Sequence, residues 1–149
     1  MANKIDEIDM KIIKLLSQNA RMTYKELADK LKTTRQRISR RMNKLEKLGV
    51  IQKYTAIPNY EKLGYTYLIL GITLRAGSDV DEIIEKLQNI ECVKIIQKAI
   101  GSHNLVVHII APHDMKRIQD IINEISKAIP GIDHMDITFI TETTKIEFF

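Results

Sequence analysis

Between Thr23 and Gly49 the chain reads TYKELADKLKTTRQRISRRMNKLEKLG, two short helical patterns separated by a polar break. Leu27, Ala28 and Leu31 mark the apolar face of the first pattern. Ile38, Met42, Leu45 and Leu48 mark that of the second, at i, i+4, i+7 and i+10. Thr23 with Glu26 three residues on is a capping-box pattern, and Thr34 stands where it can cap the second helix. Two helices joined by a turn of three or four residues, the second carrying Arg35, Arg37, Arg40 and Arg41, form the helix-turn-helix pattern of DNA readers.

A preceding helix is expected from about Asp6 to Asn19. Ile5, Ile8, Ile12, Leu15 and Leu16 recur at helical spacing, and Asp6, Glu7 and Asp9 favour the N-terminal end of its dipole. Its apolar face has only the next two helices to bury against, which implies a three-helix core. The second helix is expected from about Tyr24 to Leu31 and the third from Arg35 to Leu48. Lys32 falls where helix-turn-helix turns usually place a glycine at positive φ, a strain of roughly 1–2 kcal/mol for an L-residue.

Advancing 100° per residue along the third helix puts Met42 and Leu45 beside Ile38, while Gln36, Arg40, Asn43 and Lys47 fall on the far side. Arg and Gln form paired hydrogen bonds with guanine and adenine edges in the major groove. Gln36, Arg37 and Arg40 are therefore the expected base readers, with Ser39 a further candidate. Phosphate contacts are expected from Thr34, Arg35, Arg41 and Lys44, with Tyr24 and Lys25 adding theirs from the second helix.

Charge divides the chain at the same place as the pattern. Residues 1–57 hold 14 Lys and Arg against 6 Asp and Glu, net +8, and residues 58–149 hold 9 against 13, net −4. Such asymmetry joins a nucleic-acid module to a domain with another task. Gly49 fits a helix C′ cap, and Val50 to Ile57 reads as a strand, the order found in winged helix-turn-helix domains. Pro58 to Gly64 is the expected linker.

The remainder reads strand, helix, strand, strand, helix, strand. The strands are Tyr65–Arg75, Val93–Ile100, Leu105–Ala111 and Ile132–Thr141, with Lys145–Phe149 as a short extra one. Asp79 and Asp114 cap helices striped with Val80, Ile83, Ile84 and Leu87, and with Met115, Ile118, Ile121, Ile122, Ile125 and Ile129. LILGITLRAGSDVDEIIEKL and LVVHIIAPHDMKRIQDIINEI echo one another, which suits a ferredoxin-like sheet with both helices on one face. The expected class is thus α+β: a winged helix-turn-helix domain at 1–57, a linker at 58–64 and a ferredoxin-like βαββαβ domain at 65–149. The strands are apolar at nearly every position, so both sheet faces should be buried, the second against another copy of the chain.

Other chemistries find little support. His103, His108, His113 and His134 are spread over loops and strands, and one cysteine, Cys92, cannot complete a four-ligand zinc site. There is no Gly-rich phosphate loop, and Cys92 reads as a buried thiol. Neither catalytic residues, a metal nor a cofactor is expected. RNA binding would want a stacking aromatic pair that these strands lack. A sensing module with no DNA role is disfavoured by the basic helix pair. No apolar run approaches the ~18 residues of a membrane span, and MANKIDEID lacks the apolar core of a signal peptide, so the cytoplasm is the expected location.

Taken together, IDEIDMKIIKLLSQNAR, TYKELADKL, ISRRMNKLEKLGVIQKYTA, AIGSHNLVVHI and IPGI resemble, in register, successive segments of the Lrp/AsnC family, the feast/famine regulators. The resemblance spans nearly the whole chain. It implies a transcription regulator that binds double-stranded DNA as a homodimer, assembles further into tetramers or octamers, and senses an amino-acid effector held between dimers at the middle turn. Carried over, that turn is Gly101, Ser102, His103 and Asn104. Asn104 stands where the family usually has an acid; an Asp would hold a ligand ammonium by charge, whereas Asn offers a carbonyl oxygen. The turn could equally serve assembly alone.

Overall fold

The computed structural model describes residues 4–149. The chain forms two compact units, Met1–Ile57 with Thr144–Phe149, and Pro58–Thr143.

In the first unit, α1 spans Glu7–Gln18, α2 Tyr24–Lys30 and α3 Arg35–Lys47. Local chemistry sets each boundary. Asp6 and Asp9 form a reciprocal box: the Asp9 amide donates to the Asp6 carboxylate at 2.9 Å and the Asp6 amide to that of Asp9 at 3.0 Å. Thr23 and Glu26 do the same for α2, and the Thr34 hydroxyl accepts from the Arg37 amide at the start of α3. Ile12, Leu27, Ile38 and Leu45 are completely buried where the three helices meet.

Both later helices end in the same 6→1 and 5→2 hydrogen-bond pattern. After α3 the Val50 amide donates to Leu45 and the Gly49 amide to Glu46, with Gly49 at φ +67°. After α2 the Thr33 amide donates to Ala28 and the Lys32 amide to Asp29. Here Lys32 takes the left-handed position at φ 51°, the only described non-glycine to do so. Lys32→Gly should therefore stabilise this unit by about 0.5–1 kcal/mol, the relieved strain less the added chain entropy of glycine. A thermal melt that shifts down would show that the Lys32 side chain contributes more than its backbone costs.

Residues 50–57, expected as a strand, form none. A strand exists only through a ladder of backbone bonds, and this segment pairs with no other among the described residues. The same holds for Lys145–Phe149.

In the second unit a 3₁₀ turn at Glu61–Leu63 sits inside the stretch expected to be linker. Then follow β1 (Tyr65–Leu74), α4 (Val80–Gln88), β2 (Val93–Lys98), β3 (Leu105–Pro112), α5 (Met115–Ala128) and β4 (Ile132–Ile140). The antiparallel sheet has the order β2-β3-β1-β4, the ferredoxin-like arrangement. Asp79 and Asp114 cap the helices. Leu68, Leu70 and Ile72 of β1 and Leu105, Val107 and Ile109 of β3 point to one face, where they bury Ile83, Leu87, Ile118 and Ile125.

The other face departs from expectation. Registry places Tyr67, Ile69, Gly71 and Thr73 there beside Val106 and His108 of β3 and Asp136 and Thr138 of β4. An apolar centre is edged with polar groups, rather than apolar at every position. No helix among the described residues is long and apolar enough to cross a membrane.

Candidate nucleic-acid interface

The amphipathic pattern of α3 becomes a geometric division. Ile38, Met42 and Leu45 are buried, whereas Gln36 and Arg40 are exposed on the opposite side, Arg37 is exposed on one flank and Ser39 is half-buried on the other. Thr34, Arg35 and Lys25 are exposed as well, and Tyr24 is half-buried. Arg35, Arg37, Arg40 and Lys25 enter no ion pair among the described residues. Their charge is therefore available to a partner outside the unit.

Arg41 and Lys44 are different. The Arg41 guanidinium donates to both Asp6 oxygens at 2.7 and 2.6 Å and to Asp9 at 2.9 Å. Lys44 donates to the other Asp9 oxygen and to the Lys4 carbonyl. Both were expected on phosphates; here they turn inward. They lie toward the edge of the buried face, and α1 presents two carboxylates there. Burial alone would raise the pKa of Asp9, which is wholly inaccessible, but Lys44, the Asp6 amide and Arg41 together hold it below the usual range. Asp6 is held down to about 2, chiefly by Arg41, whose own pKa is raised by the same hydrogen bond. Sequence reasoning saw Asp6 and Asp9 only as dipole partners. The spacing Asp-x-x-Asp shows that both can share a helical end, but not that basic residues more than thirty positions away meet them.

The middle turn is also built from contacts invisible to spacing. The Asn104 side-chain oxygen accepts from the Leu74 backbone amide at 2.7 Å, and the Asn104 backbone amide donates to the Ile72 carbonyl at 2.8 Å. Asn104 thus fastens the turn to β1. The His103 ring lies against Gly71, where a Cβ would come 2.5 Å from its Cδ2 and Nε2 atoms. Thr73 Oγ1 lies 3.2 Å from His103 Nδ1 and donates to the Ser102 carbonyl at 2.9 Å. Asp136 lies 3.2 Å from His103 Nε2 and 2.9 Å from His134 Nε2. Gly101 and Ser102 are exposed at the tip. Gly71, Thr73, His134 and Asp136 were not anticipated, because they join the turn only through strand registry.

Comparison with known proteins supplies the context. Residues 5–52 match the winged helix-turn-helix DNA-binding family, and residues 68–148 match the Lrp/AsnC ligand binding domain. An HTH-type transcriptional regulator of Pyrococcus abyssi is 46% identical over 144 residues, covering 97% of each chain. The crystal structure of PH0061, an HTH-type regulator of Pyrococcus horikoshii, superimposes with a TM-score of 0.92 at 43% identity over 98% of this chain and 99% of the other. A Neisseria meningitidis transcriptional regulator in complex with L-Met shares the fold, with a TM-score of 0.82 at 18% identity over 97% and 94% of the two chains. The chain therefore belongs to the Lrp/AsnC family, as a transcriptional regulator rather than an enzyme, with a DNA-binding winged helix-turn-helix and a ligand-binding domain.

Proposed function

We propose that the protein regulates transcription as a homodimer that lays two copies of α3 in successive major grooves, roughly 34 Å apart. Gln36, Arg37 and Arg40, with Ser39 beside them, read base edges. Tyr24, Lys25, Thr34 and Arg35 hold phosphates. Arg41 and Lys44 instead set the tilt of α3 on α1 through Asp6 and Asp9. The observation that carries the reading is the division of α3 into a buried Ile38-Met42-Leu45 face and an exposed, ion-pair-free Gln36-Arg37-Arg40 face.

The dimer forms through the helix-free sheet face, whose apolar centre at Ile69 and Val106 is only half-buried within one chain, and it assembles into tetramers or octamers in the cytoplasm. An amino-acid effector at Gly101, Ser102, His103 and Asn104 is supported by the ligand-binding family of residues 68–148 and by the methionine complex of the Neisseria protein. Asp136 supplies there the negative charge that Asn104 lacks.

Selection of bound sequences from random duplex DNA tests the base-reading assignment. Arg40→Ala should lose about 1–3 kcal/mol at one base position and relax preference there. A uniform loss across all sequences would move Arg40 to the phosphates, and the absence of any preference in the parent protein would sink the proposal.

A further inference from the structure

The chain that leaves the three helices is held to them, among the described residues, at two points. The first is Ile51, whose amide donates to the Leu45 carbonyl at 3.2 Å and whose side chain packs on the three-helix core. Gln52 and Lys53 are exposed. Tyr54 then returns to the helices: its hydroxyl donates to Glu46 Oε1 of α3 at 2.8 Å. Beyond it the Thr55 hydroxyl reaches only the adjacent Ala56 carbonyl, and Ala56 and Ile57 are exposed. Tyr54 is thus the last anchored residue of the first unit before Pro58 begins the second.

Because residues 50–57 belong to no strand, no ladder of backbone bonds fixes their course. The Tyr54–Glu46 bond takes that part. Its acceptor is a carboxylate, which places it among the stronger side-chain hydrogen bonds. Burial above all, then the bond to Glu46 and the Tyr24 phenol, raise the pKa of Tyr54, so the hydroxyl keeps its proton and stays a donor. Glu46 is otherwise out of place. A carboxylate in the last turn of a helix opposes the dipole, where Lys44 and Lys47 suit it. Glu46 enters no ion pair among the described residues. The Tyr54 hydroxyl is the partner that accounts for it. Glu46 also lies two helical turns beyond Ser39, on the same flank of α3.

We propose that Tyr54 and Glu46 are positioning residues that set the spacing at which the dimer accepts its two half-sites, without contacting DNA themselves. This rests on the dimeric reading given above. With the bond closed, the free stretch of each first unit is 55–57; with it open, 52–57. Three more extended residues add about 10 Å of reach. That is about three base pairs of duplex, enough to carry the next groove more than a quarter of a turn around the axis. A short tether admits one separation of the two α3 helices, and a longer one admits several.

Duplexes that carry two copies of the selected half-site, with the separation varied one base pair at a time, read this directly in the full-length protein. Binding two base pairs away from the best separation must open at least one latch, so the wild type should prefer the best separation about ten-fold. Tyr54→Phe keeps the ring and removes the donor. It should bind the best duplex as the wild type does, while its spacing preference falls to about two-fold or less. Glu46→Ala should match it, since alanine is at least as good a residue for the end of α3. The double variant should go no further than either single one, because both act through one bond. Glu46→Gln keeps an acceptor oxygen and should retain most of the preference. An unchanged spacing preference in Tyr54→Phe and Glu46→Ala, beside a sharp one in the wild type, would overturn the proposal and leave the dimeric reading standing. An altered base preference within the half-site, or weaker binding at the best separation with an unchanged thermal melt, would overturn it too, since Tyr54 would then be a DNA contact. Should Tyr54→Phe lower the melt, Glu46→Ala on the exposed flank decides in its place. A wild type that binds single half-sites as tightly as pairs would sink the dimeric reading and this proposal with it.

Discussion

Asp9→Ala should destabilise the three-helix unit by about 3–5 kcal/mol, the usual cost of removing one partner from a buried ion pair. Asp9 is fully inaccessible, while the side chains of Arg41 and Lys44 are each 25% exposed. Removing the carboxylate leaves both cations facing a site too enclosed to hydrate them fully. It also deletes one half of the box that starts α1. Arg41 can fall back on Asp6, which is nearer to water, so the loss should lie toward the lower end of the range. Denaturant unfolding followed by amide exchange of α1–α3 reads this unit apart from the sheet. A loss below about 1 kcal/mol would mean that water screens the network as it does a surface pair. The pH dependence has a defined sign. The folded-state values of Asp6 and Asp9 lie below those of the unfolded chain. Their contribution is thus complete above about pH 4, the unfolded carboxylate value. It is lost as pH falls toward the folded value of Asp6, about 2. Neutral to mildly alkaline pH should leave this term untouched.

Much of the fold was legible because it depends on local pattern. The stripe Ile38, Met42, Leu45 located α3 to within a residue of its end. The caps Thr23, Thr34, Asp79 and Asp114 are all used as such. The positive φ of Lys32 followed from the turn alone. What stayed hidden depends on residues distant in sequence. Periodicity says which side of α3 Arg41 occupies but not that Asp6 and Asp9 wait there, 35 and 32 residues away. Alternation in β1 gives two faces, yet the meeting of His103 with Gly71, Thr73 and Asp136 needs the pairing of three strands. The segment Val50–Ile57 erred in the other direction: its residues favour extension, but a strand needs a partner as well as a propensity.

The inward commitment of Arg41 and Lys44 makes a second large effect quantitative, the salt dependence of DNA binding. Each neutralised phosphate releases counterions and adds about −0.9 to the slope of log K against log salt. If Lys25 and Arg35 are the cationic phosphate contacts of each protomer, the proposed dimer makes about four such contacts, for a slope near −3.6. Raising salt from about 50 to about 200 mM should then weaken binding about 150-fold. If Arg41 and Lys44 also reached phosphates, there would be about eight contacts, a slope near −7 and a loss of about 20,000-fold over the same interval. The two outcomes differ by about two orders of magnitude in a single titration on a duplex carrying the selected site. The smaller slope is expected, because drawing Arg41 onto the DNA would strip Asp6 of its main partner and leave Asp9 buried with one cation fewer. Asp6→Asn then serves as a lever. Asp6 is exposed enough for the change to be tolerated, and weakening its hold on Arg41 should steepen the slope by up to about two per dimer. A wild-type slope near −7, unchanged in Asp6→Asn, would show that the ion network opens whenever DNA is bound.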